Sequence, residues 1–140
     1  MIKRMYLNTS ILIKAVNPWD PMHGHAVDFL KTCCTVYTCI ASSVHGLEPW
    51  RRATRARVRA LLKSVGAKVL SVDLEDVLRE AEEYRVRHGL SPRRRIDIAH
   101  LVAARKLGCR AIAAVDRFIK AHAKHFSLLY LNYYTGCRDP

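Results

Sequence analysis

Short apolar runs alternate with stretches whose apolar residues recur at helical spacing, along the whole of a 140-residue chain. That rhythm restricts the fold to an α/β domain with a largely parallel sheet, because parallel neighbours need a crossover helix between them. Met5-Tyr6-Leu7 predicts a buried first strand, stopped by the polar triplet Asn8-Thr9-Ser10, and Ile11-Leu12-Ile13 opens a helix. The prolines of Asn17-Pro18-Trp19-Asp20-Pro21 impose a turn. Ala26, Phe29, Leu30 and Cys33 then share one helical face. Val36 to Ala41 predicts the second strand, and Ser42-Ser43 a cap for the next element.

The second half repeats the alternation. Val58, Leu61, Leu62 and Val65 line a helix, Ala67 to Val72 predicts the third strand, and Asp73 with Asp76 suits a helix start. Val77, Leu78, Ala81 and Tyr84 form the face of a helix that stops at Gly89. Another helix runs from about Arg94 to Leu107 and ends at Gly108. Ala111 to Val115 predicts the fourth strand, closed by Asp116, and Ser127 to Leu131 a fifth, before an irregular tail at about 132–140. With no internal repeat and no low-complexity linker, residues 1–140 are expected to form a single domain.

Charge narrows the partners. The formal net charge is +12, while 50% of the residues are hydrophobic, so the chain can bury a core and is not a disordered basic tail. A polyanion is the expected partner. No apolar run approaches the about 18 residues of a membrane span. The basic start Met1-Ile2-Lys3-Arg4 imitates a secretion signal, but Asn8, Thr9, Ser10 and Lys14 interrupt its apolar part and no small-residue cleavage site follows. A cytoplasmic, membrane-free protein is therefore expected. The odd cysteine count, five, argues against a closed disulfide framework, and Cys33, Cys39 and Cys109 fit small core positions. Glutamine is absent and arginine outnumbers lysine, the bias of a thermophilic source, which leaves room for one cystine.

The few acids are placed selectively. In parallel α/β sheets ligands bind beyond the carboxyl ends of the strands. Asn8 follows the first strand, Glu48 the second and Asp116 the fourth, and Asp97 opens the helix leading to the fourth. Together they would make an oxygen-rich site for Mg²⁺ or Mn²⁺. Each also has an ordinary structural use: Glu48 and Asp97 as dipole-complementing charges, Asp116 as a helix cap. Arg93, Arg94 and Arg95 stand at a helix start, where cations oppose the macrodipole, which points to phosphate binding. The arginines at 51, 52, 55, 57 and 59 are explained by a solvated helix face, although Arg51 and Arg52 are also candidates for an RNA contact.

Three segments carry a resemblance. Tyr6-Leu7-Asn8-Thr9-Ser10-Ile11-Leu12-Ile13 resembles the opening strand of PIN-domain nucleases, which reads apolar-Asp-Thr/Ser-Ser-apolar. Ile96-Asp97-Ile98-Ala99-His100-Leu101-Val102-Ala103-Ala104, then Leu107-Gly108-Cys109 and Val115-Asp116-Arg117-Phe118, is similar to that family's second half. Ser42-Ser43-Val44, with Leu47-Glu48, fits the middle element that supplies its Glu, although Gly46 and Pro49 do not suit a regular helix there. The likeness covers about Met5 to Leu131 in order.

The resemblance implies a three-layer α/β/α fold, often dimeric, and Mg²⁺- or Mn²⁺-dependent RNA cleavage. Small members are commonly the toxins of VapBC-type toxin–antitoxin pairs, inhibited by a small antitoxin protein. Carried over residue by residue, Glu48, Asp97 and Asp116 would hold the metal and Ser10 would support the site, while His100 suits a core position. At position 8 the family's Asp is replaced by Asn8. An amide oxygen can touch a cation but brings no charge, so metal binding and activity are expected to be impaired. A degenerate PIN-fold protein that only binds RNA or a partner is the alternative.

Overall fold

The structure, a computed structural model, describes residues 2–138. Five strands form one sheet: β1 (Arg4–Leu7), β2 (Thr38–Ser42), β3 (Lys68–Leu70), β4 (Ala111–Ala113) and β5 (Leu129–Leu131). Their order is β3-β2-β1-β4-β5 and every pairing is parallel. The helices are α1 (Thr9–Val16), α2 (His23–Val36), α3 (Arg52–Ser64), α4 (Leu74–Arg87), α5 (Arg95–Lys106) and α6 (Arg117–His122).

Side chains alternate across the pleat and so feed two cores. Met5 and Leu7 of β1, Cys39 and Ala41 of β2, and Ala111 and Ala113 of β4 pack with α1, α2 and α3. Tyr6, Ile40 and Ile112 face the other way, against α4, α5 and α6. This is the α/β/α sandwich. Helix α5 lies deepest, with every residue from Ile98 to Ala104 buried, so any polar group it carries there must find a partner inside the protein.

Several boundaries differ from those expected. Helix α2 runs on through Val36, and the N–H of Tyr37 still bonds to Cys33 O, so β2 begins only at Thr38. Val36 is consequently 51% exposed rather than part of a strand. The outer strands are short: β3 keeps Lys68–Leu70, and β5 starts at Leu129 because Ser127 is left-handed and Leu128 N bonds back to Ala123 O. The cysteines differ too. Cys33 pairs with Cys137 and Cys34 with Cys39, their Cα atoms 5.4 and 5.3 Å apart, so Cys33 and Cys39 are cystine halves rather than free core thiols. Only Cys109, among the described residues, is a buried free thiol. The tail turns at 133–135 and is tied to α2 by Cys137; its last two positions, 139 and 140, lie outside the described residues, as does Met1.

The strand order creates one crevice. The chain moves from β1 outward to β2 and β3, then crosses to β4 on the other side of β1. Beyond the carboxyl ends of β1 and β4 the crossovers diverge, and ligands of such sheets bind at that switch point.

Candidate active site

Asn8 and Asp116 stand at that crevice, each capping the next helix. Asn8 is 2% exposed, and its N–H donates to Ala113 O at 2.9 Å across the β1–β4 boundary. Its Oδ1 accepts from Ser10 N at 3.1 Å and Ser10 Oγ at 2.8 Å. A main-chain N–H can only donate, so the amide orientation is fixed and Nδ2 is the group left over. That Nδ2 is buried without a hydrogen-bond partner. The oxygen on which cation contact depended is therefore committed to Ser10. Ser10 Oγ in turn receives Val115 N at 2.9 Å, which ties the end of β1 to the loop carrying Asp116.

The acids divide into two groups. Asp116 Oδ1 accepts from Phe118 N at 2.7 Å and Ile119 N at 3.1 Å. Asp97, in the first turn of α5, pairs with Arg94 at 3.4 Å. Burial and then the negative charge of Asp116 push the Asp97 carboxyl above its ordinary pKa, against the pull of Arg94. The structure thus brings Asp97 and Asp116 together as a repelling pair, the arrangement that a cation would relieve.

Glu48 belongs to the other group. Residues Ser43–Leu47 form a 3₁₀ turn rather than an α-helix, and Glu48 is its C-cap. Its carboxylate accepts from Thr9 Oγ1 and from His100 Nε2, the latter at 3.0 Å. Burial opposes its charge, but the bonds from His100 and Thr9 outweigh that and hold the pKa below the usual value. Beneath it runs a polarised chain of hydrogen bonds. Val44 N–H donates to Ser42 Oγ at 3.1 Å, Ser42 Oγ meets Tyr6 OH at 2.7 Å, and Tyr6 OH meets His100 Nδ1 at 2.7 Å. Because the first donor is a main-chain N–H, donation can pass through Ser42 and Tyr6 to Nδ1, leaving Nε2–H for Glu48. Burial drives the Tyr6 pKa upward, so its hydroxyl keeps its proton. His45 closes this layer, its Nε2 2.8 Å from Leu7 O; burial first, then the neighbouring His100, lowers its pKa to about 3.

Among the described residues, no group of three or more His, Cys, Asp or Glu side chains stands close enough to hold one metal ion. Asp97 and Asp116 offer hard oxygens, Glu48 is turned to Thr9 and His100, and position 8 presents an N–H₂. The donor set fits a divalent cation at the Asp97–Asp116 pair and not at Asn8. Of the basic run, Arg94 is engaged with Asp97 and lies 4.7 Å from the Phe118 ring centroid, and Arg95 reaches Glu82 at 3.5 Å. Arg93, Arg51 and Arg52 are exposed. Thr9, Tyr6, Ser42 and His45 were not expected here. Only His100 carried a signal, three residues after Asp97 on one face of an otherwise apolar helix.

A parallel sheet ordered β3-β2-β1-β4-β5, with acids gathered at its switch point, defines a class of α/β protein, and the family model for the PIN domain matches residues 5–125. The chain belongs to the PIN domain family. Among solved structures it is similar to VapC20 of Mycobacterium tuberculosis, described as a Sarcin-Ricin loop cleaving toxin, with a TM-score of 0.61 and 23% identity over 84% of this chain and 93% of that one. That likeness concerns the fold. No curated protein matches. No helix among the described residues is long and apolar enough to cross a membrane.

Proposed function

We propose that this protein is a toxin-type ribonuclease that hydrolyses RNA phosphodiesters at the Asp97–Asp116 pair in an Mg²⁺- or Mn²⁺-dependent reaction, and that Asn8 impairs it. The observation that carries this reading is the repelling pair Asp97–Asp116, with Asp116 on the loop that Ser10 ties to the end of β1, where the Nδ2 of Asn8 is buried and unpartnered. Family membership and the loop-cleaving activity of VapC20 support it.

Asp97 and Asp116 would hold the ion, with Glu48 as a further donor if it turned from His100. A divalent ion bound there would supply an activated water and charge stabilisation for the scissile phosphate. The protein's own residues do the rest. Ser10 fixes the distance between the β1 end and the Asp116 loop, and the N-terminus of α6 holds one oxygen of Asp116 so that the other is free to act. The Tyr6–His100 chain holds Glu48 in its ionised form. Exposed Arg93, with Arg51 and Arg52, would draw the RNA backbone in. A homodimer and a small antitoxin partner, in the cytoplasm, complete the proposal.

The test is RNA cleavage by the purified chain with Mn²⁺, beside Asp97→Asn and Asp116→Asn. Weak cleavage that both substitutions abolish is expected; cleavage indifferent to both would sink the reading. The orphaned Asn8 Nδ2 also favours a second reading, a PIN fold that binds RNA without cutting it. Salt-sensitive RNA binding with no cleavage, even after Asn8→Asp, would establish that one instead.

A further inference from the structure

A cavity of about 360 Å³, within the size range of small-ligand sites, lies between the end of α1 and the start of α3. Trp50 with Ile13, Val16 and Pro49 makes its apolar side and Arg51 and Arg57 its basic side, and no acidic residue lines it. We propose that this cavity is a nucleotide subsite for single-stranded RNA, in which Trp50 stacks a base and Arg51 and Arg57 hold the neighbouring phosphates.

The position of Trp50 is built, not incidental. Its N–H donates to Glu48 O at 2.8 Å, and Arg55 donates to the same oxygen at 2.7 Å and to His45 O at 3.3 Å. The Arg55 guanidinium lies 5.4 Å from the Trp50 ring centroid, and His45 lies 6.2 Å away on the site side. One short loop therefore aims the Glu48 carboxylate at the crevice and the indole at the cavity. Arg55 fixes both.

The lining specifies the ligand chemistry. A half-buried indole gives a flat apolar face, two exposed guanidiniums give anion binding, and Asn17 gives a donor to a base edge. The Oδ1 of Asn17 is occupied by Trp19 N at 3.1 Å, which leaves Nδ2 free to donate. A flat ring joined to a phosphodiester satisfies all three at once; a run of acidic side chains satisfies only the second. Base stacking on an aromatic platform beside a cationic track is how single strands are held without a strict sequence code. Helix α1 spans the interval from Asn8 to the cavity, roughly 12 Å at 1.5 Å per residue. A strand seated on Trp50 would thus reach the acidic pair a few nucleotides away. The inference rests on the ribonuclease reading above.

The protein has two tryptophans, and Trp19 is 90% exposed, so Trp19→Phe leaves Trp50 as the only indole reporter. The probe is a short single-stranded oligoribonucleotide, titrated without divalent ions so that it stays intact. Saturable quenching of Trp50 is expected. In the parent background Trp50→Ala should weaken RNA binding about tenfold at every salt concentration, and Trp50→Phe less, since it keeps a ring. Arg57→Ala should instead lower the slope of log affinity against log salt by about one. Thr54→Phe, which fills the cavity and leaves Trp50 in place, should reproduce the loss and so covers the case in which Trp50→Ala does not fold.

RNA binding unchanged in both Trp50→Ala and Thr54→Phe would overturn the subsite, as would an acidic peptide that quenches Trp50 and resists displacement by RNA. The two readings fail separately. Cleavage by Asn8→Asp with binding indifferent to Trp50 removes the subsite alone. Binding dependent on Trp50 with no cleavage by any variant removes the ribonuclease alone.

Discussion

Replacing Asn8 by Asp tests the site most directly, because the structure allows the change to be costed. The cap is retained: one carboxylate oxygen accepts from Ser10 N and Oγ as Oδ1 now does, and Asp caps as well as Asn. The first turn of α1 holds no acid, so the new charge gains ~0.3–1 kcal/mol from the helix dipole. The unpartnered Nδ2 is exchanged for a carboxylate oxygen that is just as buried and unpartnered, so the penalty of about 1–3 kcal/mol for an unsatisfied polar atom is not recovered. Against this stands repulsion from Asp97 and Asp116, about 4 kcal/mol for a unit charge brought within 4 Å of another at an effective dielectric of 20. Without metal the variant is therefore the less stable protein, by about 3 kcal/mol, and its melting temperature should fall by roughly 10 °C. With a cation the repulsion becomes attraction, and Mn²⁺ should bind roughly 10- to 100-fold tighter, about 1.4–2.7 kcal/mol. At saturating Mn²⁺ that difference appears as an additional rise in melting temperature of about 5–10 °C. The assay is thermal unfolding of parent and variant with and without MnCl₂, paired with RNA cleavage, which should rise about 100-fold. Equal Mn²⁺ shifts in the two proteins, with no gain in cleavage, would refute the placing of position 8 in a metal site.

The same geometry sets other outcomes. Tyr6→Phe removes the hydroxyl between Ser42 and His100 and should cost about 1–3 kcal/mol in urea unfolding; because His100 then loses its partner at Nδ1, cleavage should fall further than stability explains. His45 has a folded pKa of about 3, below its unfolded value of about 6.5, so its contribution is complete above pH 6.5 and is lost as pH falls. Unfolding free energy should drop by about 2 kcal/mol between pH 6.5 and 5, and His45→Gln, which cannot gain charge, should flatten that slope. Asp97 works in the opposite sense: its raised pKa favours folding at low pH, and that contribution is lost as pH rises from the ordinary aspartate value through the raised one, a slope that Asp97→Asn should erase. Cys33–Cys137 closes a separation of 104 residues, so Cys137→Ser should destabilise by about 4.7 kcal/mol on the loop-entropy account; Cys34–Cys39, with a separation of 5, is worth about 2 kcal/mol, and differential scanning calorimetry distinguishes them.

The sequence by itself determined the architecture. Apolar runs alternating with helical faces call for crossovers between parallel strands, so an α/β domain with a largely parallel sheet and the placing of Asn8, Asp97 and Asp116 near strand ends were legible in the chain alone, while the three layers came with the resemblance to PIN domains. Local signals sufficed there, because periodicity and capping involve neighbours within one or two turns. Strand limits were less legible, since whether Val36 continues a helix or opens a strand depends on hydrogen bonds that both choices can satisfy locally. Only the tertiary structure decided what the polar groups do. That Asn8 Oδ1 faces Ser10, that Glu48 answers to His100 and Thr9 rather than to the other acids, and that Tyr6 and Ser42 are polar members of a core are all settled by packing, the last through partners 36 and 94 positions apart in the chain. The cystines show the same limit, for Cys137 meets Cys33 only once the tail has crossed β5 and returned to α2. A sequence carries periodicity along the chain; burial and partnership arise between distant segments, where the cost of an unsatisfied polar atom selects one arrangement among many.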